Sequence, residues 1–334
     1  MCTGIRFNGA TGSMYFGRNL DWTQGYGEKV VVTPAAATPP TAFERPDDLD
    51  AAHAHTVIGM GITAGPIPLY FDCGNDAGLA AAGLNFPQSA RYADPSTVPA
   101  TPAASGDGTS TIYVAAYEFP FWVARNFATL DEVSAALART VVVAKPVSPQ
   151  LPVAKLHWLI GDATGSIVAE CLEDGLRVWE NDVDALTNEP DFGWHRTNLR
   201  NYLTLTDAEP KDATWDRAKL APFGTGMGMQ GIPGDYSGPA RFVKAAFVNS
   251  HYPVQESEAD NVTRLFRTLG SVAVPRGAAC MPDGSSEITL YTSCFSAATC
   301  TYYHATYDDP QIRAYPLAGC DLTATEPFVA QEAA

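Results

Sequence analysis

Period-two segments in this 334-residue chain fall in three blocks separated by two helical blocks, and that order constrains the fold more than any single motif. Alternation over residues 4–7 and 13–22, with Asn8-Gly9 and Thr11-Gly12 between, is a hairpin signal. Further strands are expected at 30–33, 55–63, 69–72 and 79–84. Helical spacing follows over 112–127 and again from Thr129, an N-cap candidate, to about residue 139. Strands resume at 155–161, 166–171 and 176–180, and a helical excursion is expected near 197–203. After a glycine-rich loop at 224–234, helices are expected at 239–250 and 256–271, then strands at 287–293, 299–306 and 312–315. Regular βα alternation would imply a doubly wound parallel sheet. Blocks imply an α+β fold, a four-layer αββα sandwich of two antiparallel sheets with helices outside each. No internal repeat or clean linker interrupts the pattern, so 1–334 reads as a single domain.

Charge narrows the partners. Acidic residues outnumber basic ones 37 to 21, a formal charge of −16, so nucleic acid and anionic membrane surfaces are repelled and an anionic ligand needs locally placed arginines. The seven cysteines are irregularly spaced and form no CxxC pair, which argues against a disulfide scaffold or a zinc site and for a reduced, cytoplasmic setting. Charged residues punctuate the first thirty positions, so no signal peptide is expected, and no run approaches the ~20 apolar residues of a membrane helix. No cofactor or metal is implied.

Familiar chemical motifs are weak here. Gly226 to Gly231 satisfies GxGxxG, but no strand precedes it and Pro233 follows, so it reads as a loop shaped for close approach. His53 and His55 form an HxH with no third ligand in register and read as a solvated strand end. The other histidines are isolated, and no GxSxG elbow occurs.

Cys2 is different. Removal of Met1 would leave one residue carrying both a thiol and a free α-amine, whose reference pKa of about 7.7–8.0 suits a base near neutrality. The hairpin delivers Arg18 as a cation that would favour the thiolate. Asp21 falls on the opposite face of an ideal strand and needs a strand end or bulge to turn inward, where it would hydrogen-bond the α-amine and hold the thiol. Arg18 and Asp21 read equally well as a solvated surface pair, and Cys2 as an ordinary second residue.

Seven ordered motifs carry a resemblance that weighs on this choice. Cys2-Thr3-Gly4-Ile5-Arg6-Phe7, Tyr15-Phe16-Gly17-Arg18-Asn19-Leu20-Asp21-Trp22, Pro68-Leu69-Tyr70-Phe71-Asp72, Gly83-Leu84-Asn85-Phe86-Pro87, Leu186-Thr187-Asn188-Glu189-Pro190, Gly231-Ile232-Pro233-Gly234-Asp235-Tyr236-Ser237 and Arg241-Phe242-Val243 resemble the choloylglycine hydrolases. These are the bile salt hydrolases and penicillin V acylases of the N-terminal nucleophile superfamily, and the motifs span nearly the whole chain. The resemblance implies the αββα fold and a set of roles. Cys2 would attack an amide carbonyl with its own amine as base, and Arg18 and Asp21 would position and activate it. The Asn188 side chain and the Asn85 backbone N–H would form an oxyanion hole, typically worth about 3–4 kcal/mol per donor. Arg241 would order the charged network. The acyl group would pass through a thioester on Cys2 to water.

Bile salt hydrolases carry asparagine where penicillin V acylases typically carry tyrosine, and this chain has Asn85. The resemblance therefore implies hydrolysis of glycine- or taurine-conjugated bile salts. A penicillin V or N-acyl-homoserine-lactone acylase of the same mechanism, and a non-catalytic bile-acid binder, are the rivals. Leu20, Ile62, Val143 and Val147 are candidates for the walls of an apolar steroid trough, and each could equally be core. Thr225 lies in a loop where some relatives place Ser-Arg, and the missing cation favours glycine over taurine conjugates. The loops at 33–46 and 95–108 look longer than is usual in the family. Residues 191–210 resemble its subunit-bridging extension, which implies a homotetramer.

Overall fold

The computed structural model describes residues 1–44, 46, 54–99 and 110–333. The chain lays down β1 (Cys2–Asn8), β2 (Met14–Trp22), β3 (Lys29–Thr33), β4 (Val57–Ala64), β5 (Ile67–Asn75) and β6 (Ala80–Asn85). Then come β7 (Ile112–Ala115), α1 (Phe119–Asn126), α2 (Leu130–Leu137), β8 (Thr140–Val143), β9 (Leu156–Gly161), β10 (Ser166–Leu172), β11 (Gly175–Glu180) and β12 (Ala185–Leu186). After α3 (Phe192–Asn198) and a small hairpin, β13 (Ala213–Trp215) and β14 (Ala218–Leu220), follow α4 (Gly238–His251) and α5 (Glu258–Gly270). The chain closes with β15 (Ile288–Ser296), β16 (Thr301–Thr306), β17 (Arg313–Pro316) and β18 (Phe328–Val329).

Two antiparallel sheets result. One has the order β12-β1-β2-β15-β16-β17, the other β11-β10-β9-β6-β5-β4-β3-β18. Strand alternation builds the layers. Met14, Phe16 and Leu20 of β2 face inward onto Val30, Val32, Ile58, Met60, Leu84 and Leu159 of the second sheet. Ile5, Phe7 and Tyr15 face outward and pack with Ala245, Ala246, Val262, Leu265 and Leu269 of α4 and α5. On the far side, Trp158, Ile160 and Ala169 of the second sheet meet Phe119, Trp122, Val133 and Leu137 of α1 and α2. The αββα sandwich expected from element order is what forms.

One helix differs from expectation. Residues 112–115 are strand, not helix, and α1 begins only at Phe119 with Pro120 in its first turn. Pro120 lacks the N–H that a continuing helix would need and suits a helix start instead. The β-branched run of β8, which periodicity did not reveal, pairs in parallel with β7 from Ile112↔Thr140 to Ala115↔Val143. Elsewhere Thr129 caps α2 with the capping box its sequence suggests, its side chain accepting from Glu132 N. The excursion after residue 190 starts earlier than expected, because Asp191 caps α3 by accepting from Trp194 N. In the GxGxxG loop, a Cβ on Gly228 would meet Thr206 O and Ala208 O at 2.4 and 2.3 Å, so the glycine serves close chain approach.

Candidate active site

Cys2 lies at the start of β1, with its side chain in the core between the sheets. Across the β1–β2 ladder it pairs with Leu20, and Gly4 pairs with Arg18. Arg18 therefore faces inward beside Cys2, its Nη2 donating to Sγ at 2.6 Å.

Arg18 is fully buried and held largely by main chain. Nη1 donates to Phe71 O at 3.3 Å and Gly83 O at 2.5 Å, and Nε donates to Asn19 O at 3.3 Å. The β5–β6 ladder ends at Asp72↔Ala82. Beyond it the guanidinium bonds carbonyls that a further rung would have used. Burial works against its charge, but Cys2, Tyr291, Asp72 and Asp21 push its pKa up, so it stays cationic. Asp72 is a fully enclosed counter-charge. Tyr291 Oη donates to its Oδ1 at 2.6 Å, while Ser293 Oγ and Tyr302 Oη donate to Oδ2 at 2.8 and 2.6 Å. Burial raises the Asp72 pKa, and Arg18 with these hydroxyls pulls it back.

Arg241 enters from the helical layer. Ser237, accepting from Ala240 N, caps α4 and sets Arg241 in its first turn. Nη1 donates to Thr3 Oγ1 at 2.6 Å and also to Cys2 O, Nη2 donates to Asn188 Oδ1 at 2.6 Å, and Nε donates to Tyr236 O at 2.9 Å. Burial pulls its pKa down, against Asp21, Cys2 and Glu287.

These bonds fix the Asn188 amide. Its Oδ1 also accepts from the Cys2 N–H at 2.7 Å, which leaves Nδ2 to donate to Asn85 O at 2.7 Å. In a strand, the N–H and C=O of one residue point to the same side. Leu156, paired with Asn85, has its own N–H and C=O taken by Tyr92 Oη at 2.6 and 2.8 Å. The Asn85 N–H is thus turned toward Asn188.

Asp21 departs from expectation. The β2–β15 register shifts between Thr289 and Tyr291, opposite Asp21 and Leu20, so a bulge does lie here. The carboxylate nevertheless makes no bond to the Cys2 nitrogen. Oδ1 accepts from Thr289 Oγ1 at 2.6 Å, and buried Oδ2, without a hydrogen-bond partner, lies 3.8 Å from Arg241 Nη1. The Cys2 N–H donates to Asn188 Oδ1 instead, and Met1 bonds the Asp21 main chain rather than its carboxylate. The Met1 α-ammonium donates to Asp21 O at 2.8 Å and pairs with Glu287 at 3.3 Å, and its carbonyl accepts from Asp21 N at 3.0 Å. With Met1 in place, the Cys2 nitrogen is a peptide N–H that donates but cannot act as a base.

The pocket candidates scatter. Leu20 neighbours Cys2, and Ile62 continues the inward row of Ile58 and Met60 on β4. Val143 is fully buried in β8, outside the second sheet, and Val147 follows on a half-buried loop. Thr225 is exposed in the loop before α4. None of these three bonds or pairs with the Cys2 cluster among the described residues. The loops at 33–46 and 95–108 are described only in part, and His53 lies outside the described residues. His55 Nδ1 sits 2.8 Å from Asp76 Oδ1, and no group of three metal-binding side chains occurs among the described residues. Sequence reasoning missed Thr3, Asp72, Thr289, Tyr291, Ser293 and Tyr302. Of these, Thr3 and Asp72 stood inside quoted motifs.

The model of the linear amide C–N hydrolases, choloylglycine hydrolase family, matches residues 2–330. A bile salt hydrolase/transferase of Bifidobacterium longum is 47% identical over 326 residues, covering 98% of each chain. A conjugated bile acid hydrolase of Lactobacillus acidophilus is 41% identical, covering 97% of this chain and 98% of its own. Among solved structures, the C2A mutant of conjugated bile acid hydrolase from Clostridium perfringens superposes with a TM-score of 0.86 at 29% identity, over 99% of this chain and 97% of that one. A penicillin V acylase from Agrobacterium tumefaciens, 19% identical with a TM-score of 0.67 over 98% and 90% of the two chains, shares the fold. A buried thiol held by a guanidinium, with the Asn188 amide alongside, on a chain matched from end to end, makes this protein a member of the choloylglycine hydrolase family of linear amide C–N hydrolases.

Proposed function

We propose that the protein is a bile salt hydrolase, cleaving the amide of glycine- or taurine-conjugated bile salts. The observation that carries the mechanism is the Cys2 thiol, 2.6 Å from Arg18 Nη2 and beside an Asn188 amide whose orientation is fixed by two donors. The full-length similarity to named bile salt hydrolases supplies the substrate class.

Removal of Met1 turns the Cys2 nitrogen into an amine that can take the thiol proton. The thiolate, held by Arg18, attacks the amide carbon, and the carbonyl oxygen becomes an oxyanion between Asn188 Nδ2–H and the Asn85 N–H. As the tetrahedral intermediate collapses, the α-ammonium gives its proton to the departing glycine or taurine nitrogen, leaving a thioester. Water, deprotonated by the same amine, attacks that thioester and releases the bile acid. Arg241 holds Cys2 O and Asn188 in register. The unpartnered Asp21 Oδ2, together with the Asp21 carbonyl that Met1 vacates, supplies acceptors for the new ammonium.

Rates on glycocholate, taurocholate and penicillin V, measured beside the mass of the intact chain, test this reading. Glycocholate is expected to be cleaved fastest, and by chain lacking Met1. Faster turnover of penicillin V, or full activity with Met1 attached, would overturn substrate or mechanism respectively. Cys2→Ser should lose at least 10²-fold in kcat; undiminished hydrolysis would refute Cys2 as the nucleophile, whereas a processed wild type that binds bile salt without cleaving it would favour the non-catalytic binder.

The same reading gives a single catalytic domain over 1–334, with one inter-sheet core running from Cys2 to Ala330. It also gives a homotetramer, for which exposed Leu203, Trp215 and Phe223 offer apolar contact surface, and a cytoplasmic enzyme, in keeping with seven unpaired cysteines. Among the described residues, no helix is long and apolar enough to cross a membrane.

A further inference from the structure

Two buried histidines lie directly behind the oxyanion residues, and nothing in the reaction above uses them. His157 on β9 is fully buried. Its Nε2 is 2.8 Å from Thr187 O and its Nδ1 is 2.9 Å from Glu170 Oε1. A carbonyl oxygen only accepts, so Nε2 carries a proton toward Thr187, and a second proton is shared between Nδ1 and the carboxylate. Glu170, also fully buried, is held in turn by Trp179 Nε1 at 3.0 Å and Phe192 N at 3.0 Å. The other face of the arrangement matters equally. Phe86, which follows Asn85, stacks on the His157 ring with centroids 4.1 Å apart and planes 6° from parallel. One ring therefore touches both chain segments that supply the oxyanion donors.

His195 repeats the device one residue further along. Its Nε2 donates to Asn188 O at 2.8 Å, while its ring stacks on Phe242, the neighbour of Arg241, at 4.5 Å. Its Nδ1 is buried without a partner, which identifies the neutral Nε2–H tautomer, and burial pulls its pKa down to about 4. Glu189 closes the bracket by accepting from Gln88 N, Ser89 N and Ser89 Oγ at 2.7, 3.0 and 2.6 Å.

We propose that His157, held as a double donor by Glu170, and His195 are positioning residues that lock the Thr187-Asn188 and Asn85-Phe86 segments into the mutual register an oxyanion hole requires. The inference rests on the proposed role of Asn188. Its logic is geometric: two donors delivered by segments about a hundred residues apart in sequence have no covalent reason to converge, and such a constellation must be fixed to within about 0.5 Å to be effective. The histidines supply the missing constraint from behind, by gripping main-chain carbonyls rather than the donors themselves.

The test uses the two amides that imitate one imidazole nitrogen each. His157→Gln retains a donor at the Nε2 position toward Thr187 O, and His157→Asn retains one only at the Nδ1 position toward Glu170. On the processed enzyme with glycocholate, kcat of H157Q should exceed that of H157N by at least tenfold, with KM differing less than threefold. The rate of Cys2 alkylation by iodoacetamide should be equal in the two, since the nucleophile is untouched. His195→Gln against His195→Asn provides the parallel pair if either His157 variant fails to fold. Equal kcat within both pairs, or a loss confined to KM, overturns the proposal. Asn188→Ala separates this from the underlying reading: if it keeps wild-type kcat, the oxyanion assignment itself falls, whereas its loss together with equal Gln and Asn variants removes only the histidines.

Discussion

Replacing Arg241 by lysine keeps the charge and removes the fork. Arg241 makes four hydrogen bonds through three nitrogens, to Cys2 O, Thr3 Oγ1, Asn188 Oδ1 and Tyr236 O. An ammonium standing in for Nη1 keeps Cys2 O and Thr3 Oγ1 but gives up the bonds that Nη2 makes to Asn188 Oδ1 and Nε makes to Tyr236 O, so two of the four are lost. Hydrogen bonds to charged groups contribute about 1.5–3 kcal/mol each, so R241K should cost about 3–6 kcal/mol, a large part of a typical 5–15 kcal/mol total. The catalytic effect has a different origin. Without Nη2, Asn188 Oδ1 keeps only the Cys2 nitrogen as donor, and the amide can turn its NH2 away from the reacting oxygen. Loss of one oxyanion donor typically costs 10²–10³ in kcat, and R241K should fall near the lower end. Urea unfolding followed by tryptophan fluorescence measures the first effect, and initial rates on glycocholate the second. A variant within about 1 kcal/mol of wild type, with kcat unchanged within threefold, would refute both steps of this reasoning.

Three further outcomes follow from other parts of the molecule. A Cβ on Gly17 would sit 2.0 Å from Ser293 O, where about 3.3 Å is the nearest comfortable C···O approach, so G17A must part β2 from β15 beside Arg18. It should lose about 3 kcal/mol of stability and most of its activity, and an unshifted urea midpoint would contradict this. Burial lowers His195 to about 4 from an ordinary 6.5, so the unfolded chain binds a proton there that the folded chain refuses. The resulting stability is fully present above pH 6.5 and is lost as pH falls toward about 4, by up to about 3 kcal/mol, so H195Q should show a flatter stability-versus-pH curve over that window. Equal slopes would count against it. Tyr302→Phe removes one of three donors to buried Asp72 and should destabilise by about 1–3 kcal/mol, with a thermal melt as the check.

Much of this was readable from residue pattern. Alternation in β1 and β2 places Arg18 inward with Cys2, because side-chain direction in a strand follows from parity alone. The two outer layers follow from helical blocks that need an apolar face to cover. Elsewhere the sequence was ambiguous for identifiable reasons. Residues 112–115 are apolar at a spacing compatible with either helix or strand, and what decides is pairing with β8, a contact no local pattern encodes. Asp21 obeys strand parity and stays on the outer face, and its contacts are set by Thr289 and Met1, which sequence spacing does not relate to it. Asp72, Tyr291, Ser293 and Tyr302 converge from three strands of two sheets, so their cluster exists only after the sheets pack. His157 and His195 looked isolated because each Nε2 bonds a backbone carbonyl, which every residue carries, and Glu170 meets His157 only in the folded chain.

Arg18 is bonded to the carbonyls of Phe71 and Gly83, not to their side chains. This part of the grip on Arg18 is therefore indifferent to which amino acids occupy those two positions. Side chains along β5 and β6 other than Asp72, the buried counter-charge, can be exchanged to accommodate a different acyl group while the guanidinium stays where it is. The centre that breaks the bond and the surface that chooses the substrate can then drift separately, which gives one constellation of residues room to serve relatives with different preferences.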